Sequence, residues 1–385
     1  MAVLRKGRRA FRRTPLAAVT LPWVIAVMGC ASEVTIGFLE TDESPPTDDS
    51  ESSSTGGTAT DIDTGTGTCD APTMYVEGGQ LHDVCGRPFV PIGVNEMLGW
   101  SKTNPSGAGI FSEIKKTGAN TVRFVWTADL LDSSLSSVEE LDAAIANSVA
   151  NRLIPFPEFR PLSRTLFGLS QAVEWWTKPE VMEVVARHER FLMLSLSNGA
   201  GEAGITPGEF VAAYGEAIAA VRAAGIRIPI VVEASDEGSD IEMLRQTFTE
   251  IQSRDPLSNL MFSLHIWWAA PDGSTDRITH ELQASADVGM PLIVSEFAPM
   301  KVFCEQRIDV EAILRGCRAH GFGFFPWSWG GEVNTDCFYM NMTTDGIYGH
   351  WQDTPDNGRW GERVAVTDPN SIQHQSVEVF VFSTL

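Results

Sequence analysis

Glu296 closes the apolar run PLIVSE. The same placement recurs along the chain. Arg123 sits in TVRFVW, Glu158 and Arg160 in LIPFPEFR, Asn198 in LSLSNG, Glu233 in IVVEAS and His265 in LMFSLH. Asn95 and Glu96 end IGVNE, and Trp327 and Trp329 lie in FFPWSWGG. Carboxylates near an arginine and a histidine can attack as nucleophiles or trade protons. Tryptophan adds a flat face for stacking a ligand. A single Arg or Glu at such a place is equally well explained by a buried structural ion pair. Several of them at one end of one fold make a site.

The apolar runs that carry these residues predict strands at Pro88–Val94, Thr121–Val125, Arg152–Phe156, Phe191–Ser197, Ile228–Glu233, Leu260–Leu264, Leu292–Ser295 and Phe322–Trp327. Amphipathic segments alternate with them at Val138–Ala150, Gln171–His188, Thr206–Ala224, Asp240–Gln252, Thr275–Val288 and Asp309–His320. Continuous apolar strands separated by helices predict a parallel sheet covered by helices. Eight such units predict an α/β fold, a (β/α)8 TIM barrel, in which the chemistry lies at the C-terminal ends of the strands. Before the first barrel strand, MYVEGGQLHDVCGRPFV reads as a short N-terminal β-hairpin around Gly78-Gly79. No GxGxxG follows the first strand, which weakens a doubly wound alternative.

The net charge of −22 argues against nucleic acid or an anionic membrane surface as partner, since both require clustered Lys and Arg. Six basic residues and no acid stand in residues 1–29, followed by an apolar run ending Val27-Met28-Gly29-Cys30. This pattern predicts a signal peptide over 1–29. The end of the run resembles a bacterial lipobox, which implies lipidation of Cys30; an ordinary signal peptide with a chance cysteine is the alternative. The expected location is that of an exported bacterial lipoprotein at the outer membrane, cell surface or periplasm, or else a secreted protein. Residues 30–68 are acidic and rich in Ser, Thr and Gly, a composition that predicts a disordered tether. The folded domain is expected over 69–385, as a monomer. Export permits disulfides. Cys69 and Cys85 flank one short segment, Cys304 and Cys337 fall on loops, and Cys317 lies on a helical pattern as a buried thiol; the odd count leaves the pairing open. No CxxC or HxxxH spacing points to a metal, and no cofactor or metal is expected.

From about Met74 to Gln373 the strand ends resemble glycoside hydrolase family five, the cellulase and β-mannanase family, with the bacterial mannanase-like members nearest. The resemblance rests on YVEGGQLHDVCGRPFVPIGVN, EIKKTGANTVRFVW, LMFSLHIWW, MPLIVSEFAP, GFGFFPWSWGG and GRWGERVAVTDPNSI, in that order. It implies retaining hydrolysis of a β-linked polysaccharide, mannan or glucan, by two carboxyl groups about 5–5.5 Å apart. Carried over by position, Glu296 is the nucleophile and Arg123 the arginine that keeps it ionised. His265 lines the subsite, Asn198 contacts the sugar 2-hydroxyl, and Trp329 is the stacking platform, which Trp100, Trp126, Trp267 and Trp268 extend.

Three neighbours depart from the family pattern. The acid/base glutamate that should follow Asn198 is Gly199. Arg160 stands where a histidine is usual, and Trp267 replaces a tyrosine that touches the nucleophile. Losing a general acid removes about 10²–10⁴-fold in rate. Glu202, three residues on, is the speculative relocated acid/base, with Glu158 as a weaker substitute that more readily pairs with a buried base. Three readings stand: a hydrolase with weak or rerouted catalysis, a non-catalytic glycan-binding pseudo-hydrolase, and a surface scaffold or adhesion lipoprotein.

Overall fold

The computed structural model describes residues 69–385 except 101–103, 127–136, 162–163, 272, 331–333, 335–336 and 356–357. The expected signal peptide, the lipidated Cys30, the tether and the Trp100 side chain lie outside the described residues. The chain opens with the expected hairpin, β1 (Tyr75–Glu77) and β2 (Gln80–His82), to which β3 (Pro88–Phe89) adds an antiparallel third strand. Eight parallel strands follow: β4 (Gly93–Glu96), β5 (Thr121–Trp126), β6 (Ile154–Phe159), β7 (Leu194–Ser195), β8 (Ile230–Glu233), β9 (Leu260–His265), β10 (Leu292–Glu296) and β11 (Gly323–Phe324). A parallel bridge from Ile92 to Phe324 and a hydrogen bond from Asn95 N–H to the Pro326 carbonyl join the first strand to the last. The fold is therefore a (β/α)8 barrel.

Local chemistry accounts for the element ends. Ser137 with Glu140, and Thr206 with Glu209, form capping boxes, and Pro207 occupies the first turn of the second helix, Pro207–Ala224. Gly225 ends that helix at φ 108°, a left-handed conformation that glycine adopts freely. The helix expected over Gln171–His188 is two helices, Leu166–Trp176 and Pro179–His188. Pro179 lacks an N–H and pushes Lys178 into extended geometry, so the helical hydrogen bonds cannot run through. The strand expected over Phe191–Ser197 shrinks to Leu194–Ser195, although Asn198 N–H still reaches the Phe159 carbonyl at 2.8 Å.

Two apolar layers hold the barrel. Outward-facing strand residues pack with the helices, while Phe156, Val231, Met261, Ile293 and Phe325 fill the barrel interior. The hairpin and the C-terminal segment close the lower end through Leu81, Val379 and Phe382. Asp83 clamps these two segments by accepting from the backbone of Cys85 and of Val381. Disulfides Cys69–Cys85 and Cys304–Cys337 staple the hairpin and the loops above β10 and β11, and Cys317 is a buried free thiol. Among the described residues no helix is long and apolar enough to cross a membrane.

Candidate active site

The upper, C-terminal end of the barrel holds a cavity of about 560 Å³. Asn198, His265, Trp267 and Glu296 all line it. Glu296, 6% exposed, is the last residue of β10 and reaches the cavity floor. Its Oε1 accepts from Arg123 Nη1 at 3.0 Å, and its Oε2 accepts from Trp267 Nε1 at 3.3 Å. Trp267 thus supplies an N–H donor to this carboxylate. His265 Nδ1 lies 3.4 Å from the same Oε2 and donates to the Glu237 carbonyl at 2.9 Å.

Arg123 is the hub beneath the cavity and is wholly buried. It bonds the Asn95 side chain, Glu158 through two nitrogens, Glu296, and Glu233 at 3.3 Å. A lone buried cation is costly, and three surrounding carboxyl groups offset that cost. Burial opposes its charge, but Glu158, Glu296 and Glu233 overcome that and raise its pKa. Glu158 and Glu233 take opposite directions. Burial pushes Glu158 well above the usual carboxylate range, with Arg123 pulling against it. Burial acts on Glu233 too, yet His265, a hydrogen bond with Glu158 and Arg123 hold it well below that range. His265 is raised because Glu296 and Glu233 outweigh its burial. The directions favour charge on Glu233, Arg123 and His265 and disfavour it on Glu158. Glu158, Glu233 and His265 could be read as a metal-ligand set. Arg123 already supplies the positive charge in that place, so the donor set does not fit a cation.

The other half of the cavity mouth is closed. Gly199, at φ 53°, donates its N–H to Glu233 Oε2 at 2.7 Å. A Cβ there would stand 2.8 Å from the Glu237 backbone. The obstruction is Ser235–Gly238, a helical turn just after β8 whose central residues Asp236 and Glu237 are left-handed, at φ 52° and 57°. No side chain fits at position 199 while this turn stays in place. Asn198 lies at the same edge and donates to Glu158 Oε1 at 2.6 Å.

Two sequence expectations fail on geometry. Glu202 is exposed and aims at the helix Leu166–Trp176, where its Oε2 meets Leu166 N–H at 3.4 Å; it does not line the cavity. The Gly199-Ala200-Gly201 turn carries it outward, so it is no acid/base. Trp329 is wholly buried, with Nε1 donating to the Gly346 carbonyl at 2.8 Å and its ring edge-on to Trp351. Trp327, two residues earlier, lines the cavity instead; strand alternation would put both on one face, but β11 ends at Phe324 and the chain beyond it is irregular. Trp268 lines the cavity as well, whereas Trp126 is sealed in the core. Glu158 pairs with the buried base Arg123, as expected of it.

Sequence reasoning missed the cavity residues Asp236, Glu237, Arg164, Arg277 and Lys301. All lie beyond strand ends, in turns or at a helix start, where no periodic pattern marks an inward direction. The only local signal was the acidic pair before Gly238 directly after a strand.

No protein-family model matches the chain. Over 314 residues it is 27% identical to a mannan endo-1,4-beta-mannosidase of Cellvibrio japonicus, covering 80% of this chain and 69% of that one. A mannan endo-1,4-beta-mannosidase of Salipaludibacillus agaradhaerens is 25% identical over 321 residues, covering 80% and 96%. Among solved structures, the mannohexaose complex of Thermomonospora fusca β-mannanase superposes with a TM-score of 0.68 at 26% identity, over 80% of this chain and 99% of that one. A cellulase at 16% identity and TM-score 0.57 shares the fold. With the barrel and the strand-end residues in place, these similarities support the resemblance to glycoside hydrolase family five, in its cellulase and β-mannanase-like group.

Proposed function

We propose that the protein acts on a β-linked polysaccharide, mannan or glucan, by forming a glycosyl-enzyme on Glu296, and that turnover is slow because no carboxyl group among the described residues occupies the acid/base place. The observation that carries this reading is the setting of Glu296. It opens into the cavity and keeps a cation, an indole donor and an imidazole around it. A scaffold with no chemistry gains nothing from holding a carboxylate that way. Glu296 attacks the anomeric carbon, the C1–O bond breaks, and the leaving oxygen takes the electron pair. In the two-carboxylate mechanism an acid protonates that oxygen as it leaves. Here Gly199 offers only an N–H already engaged by Glu233, and Glu158 and Glu233 are wholly buried. Apart from Glu296, the carboxylates lining the cavity among the described residues are Asp236 and Glu237, and Glu237 is tied to Arg164.

The test supplies an aryl β-mannoside or β-cellobioside with an activated phenolate leaving group, with and without azide. The phenolate departs without a proton, and azide then attacks C1 to release Glu296. Azide is expected to accelerate turnover at least tenfold and to yield a glycosyl azide. Glu296→Gln is expected to abolish both, a loss of about 10³-fold or more, on the scale of nucleophile removal in other hydrolases. A protein that binds mannohexaose yet shows no glycosyl-enzyme and no azide effect is instead a glycan-binding pseudo-hydrolase. The blocked position 199 favours that second reading.

A further inference from the structure

We infer that Asn334 is a positioning residue, which fixes the indole of Trp327 in the cavity wall so that a sugar ring can stack on it. The inference rests on the glycan reading above and names a residue that serves that site. The backbone around Trp327 is already held. Trp327 N–H donates to the Phe297 carbonyl at 2.7 Å, Ser328 N–H donates to the Met340 carbonyl at 3.2 Å, and the Ser328 carbonyl accepts from Met342 N–H at 2.8 Å. These bonds set where the side chain starts but leave its two torsions free, so they do not decide which way the ring faces. The ring's one polar atom does. Trp327 Nε1 donates to Asn334 Oδ1 at 3.0 Å.

An indole nitrogen only donates, so Asn334 must turn its oxygen there and its nitrogen the other way. Nδ2 then donates to Ser328 Oγ at 3.1 Å and to Asn341 Oδ1 at 2.6 Å. Both of those partners are buried, whereas Asn334 itself lines the cavity beside Trp327, Cys337 and Met340. Its carbonyl accepts from Cys337 N–H at 3.1 Å, and Cys337 is bonded to Cys304. The asparagine therefore ties the ring to a covalently stapled loop. Bonds between two side chains are a minority in proteins, yet three meet on this one amide. The barrel does not need them, since the bridge from Ile92 to Phe324 joins its first and last strands before this point. An aromatic face held in one orientation takes a pyranose at less ordering cost than a ring free to turn.

Calorimetry on the full chain with mannohexaose, and with cellohexaose in parallel, tests this as a double-mutant cycle. Trp327→Phe keeps an aromatic face but has no N–H, and Asn334→Leu removes the acceptor. Each is expected to weaken the hexasaccharide about three- to tenfold, the scale of one hydrogen bond. The double variant should bind no more weakly than the weaker single variant, because Asn334 acts through the indole N–H. Losses that multiply assign Asn334 a role apart from Trp327 and overturn the inference, as does Asn334→Leu binding like the unaltered protein. Asn334→Asp keeps an oxygen for the indole, and Ser328 and Asn341 can turn to donate to it, so its affinity should stay within about twofold. A loss there as large as in Asn334→Leu also overturns the inference. Asn334→Ala, whose gap water can fill, takes the place of Asn334→Leu if that variant fails to fold. All these outcomes leave the glycan reading intact. An unaltered protein that binds neither hexasaccharide overturns both.

Discussion

The two halves of the barrel mouth use the same residue types for opposite ends. On one side, β9 and β10 present His265 and Glu296 to the cavity, and Trp267 donates to Glu296. On the other, β6 and β8 carry Glu158 and Glu233 one short side chain deeper, where Arg123, Asn198 and the Gly199 N–H consume them. A carboxylate at a strand end is thus reactive or structural according to what covers it. Here the cover is the left-handed turn Ser235–Gly238, seated on the glycine. Position 199 and this turn fit as a unit, so the wall is closed by both together and not by the glycine alone.

Several experiments would break or sharpen that contrast. The largest effect is expected from Arg123→Met, which strands buried carboxyl groups from both halves. Breaking a buried ion pair by removing one partner costs about 3–5 kcal/mol, so denaturant titration should show a loss of at least that size. A loss below about 1 kcal/mol would mean that the cluster is not the shared foundation of the two halves. Next comes Gly199→Glu, which places a carboxyl group in the closed half. Positive φ and the Glu237 backbone 2.8 Å from the new Cβ predict a destabilisation of about 1–3 kcal/mol. No gain in hydrolysis of unactivated mannan is expected. Restored hydrolysis would show that the turn yields easily and that the wall is not closed.

The open half has a pH signature. His265 has a folded pKa raised by Glu296 and Glu233 against its burial. The stabilisation from its charge is fully present below the unfolded value of about 6.5 and is lost as pH rises through the folded value. The difference in Tm between the protein and His265→Asn should therefore be widest at pH 6 and below and should narrow toward alkaline pH. A difference that is flat with pH would place the stabilising contribution in packing. The smallest effect is expected from Glu202→Gln, since that side chain is exposed and faces away from both halves. Activity with the aryl glycoside and Tm should stay within error, and a tenfold loss of activity would return Glu202 to the site.

Much of this was legible in the chain itself. Thr121–Trp126, Leu260–His265 and Leu292–Glu296 are mostly apolar and wholly buried, as strands covered on both faces are, and each carries a residue of the cluster: Arg123, His265 and Glu296. Ser137 with Glu140 and Thr206 with Glu209 announced their helices. The two tryptophans of FFPWSWGG were not separable, because both are aromatic and only the path of the chain after β11 sends Trp327 to the cavity and Trp329 to the core. Glu202 looked available because spacing along a glycine-rich turn says nothing about which way the turn faces.

The amino-acid order by itself determined the barrel, the identity of the strand-end residues and the glycine at position 199, because hydrophobic periodicity, caps and turns act between residues close in sequence. Only the tertiary structure decided which carboxyl group meets the cavity. Glu158, Glu233 and Glu296 are chemically alike, and what separates them is burial, the reach of one arginine, and a turn from the neighbouring strand. Those are properties of distance in space, which the spacing of residues along the chain does not encode.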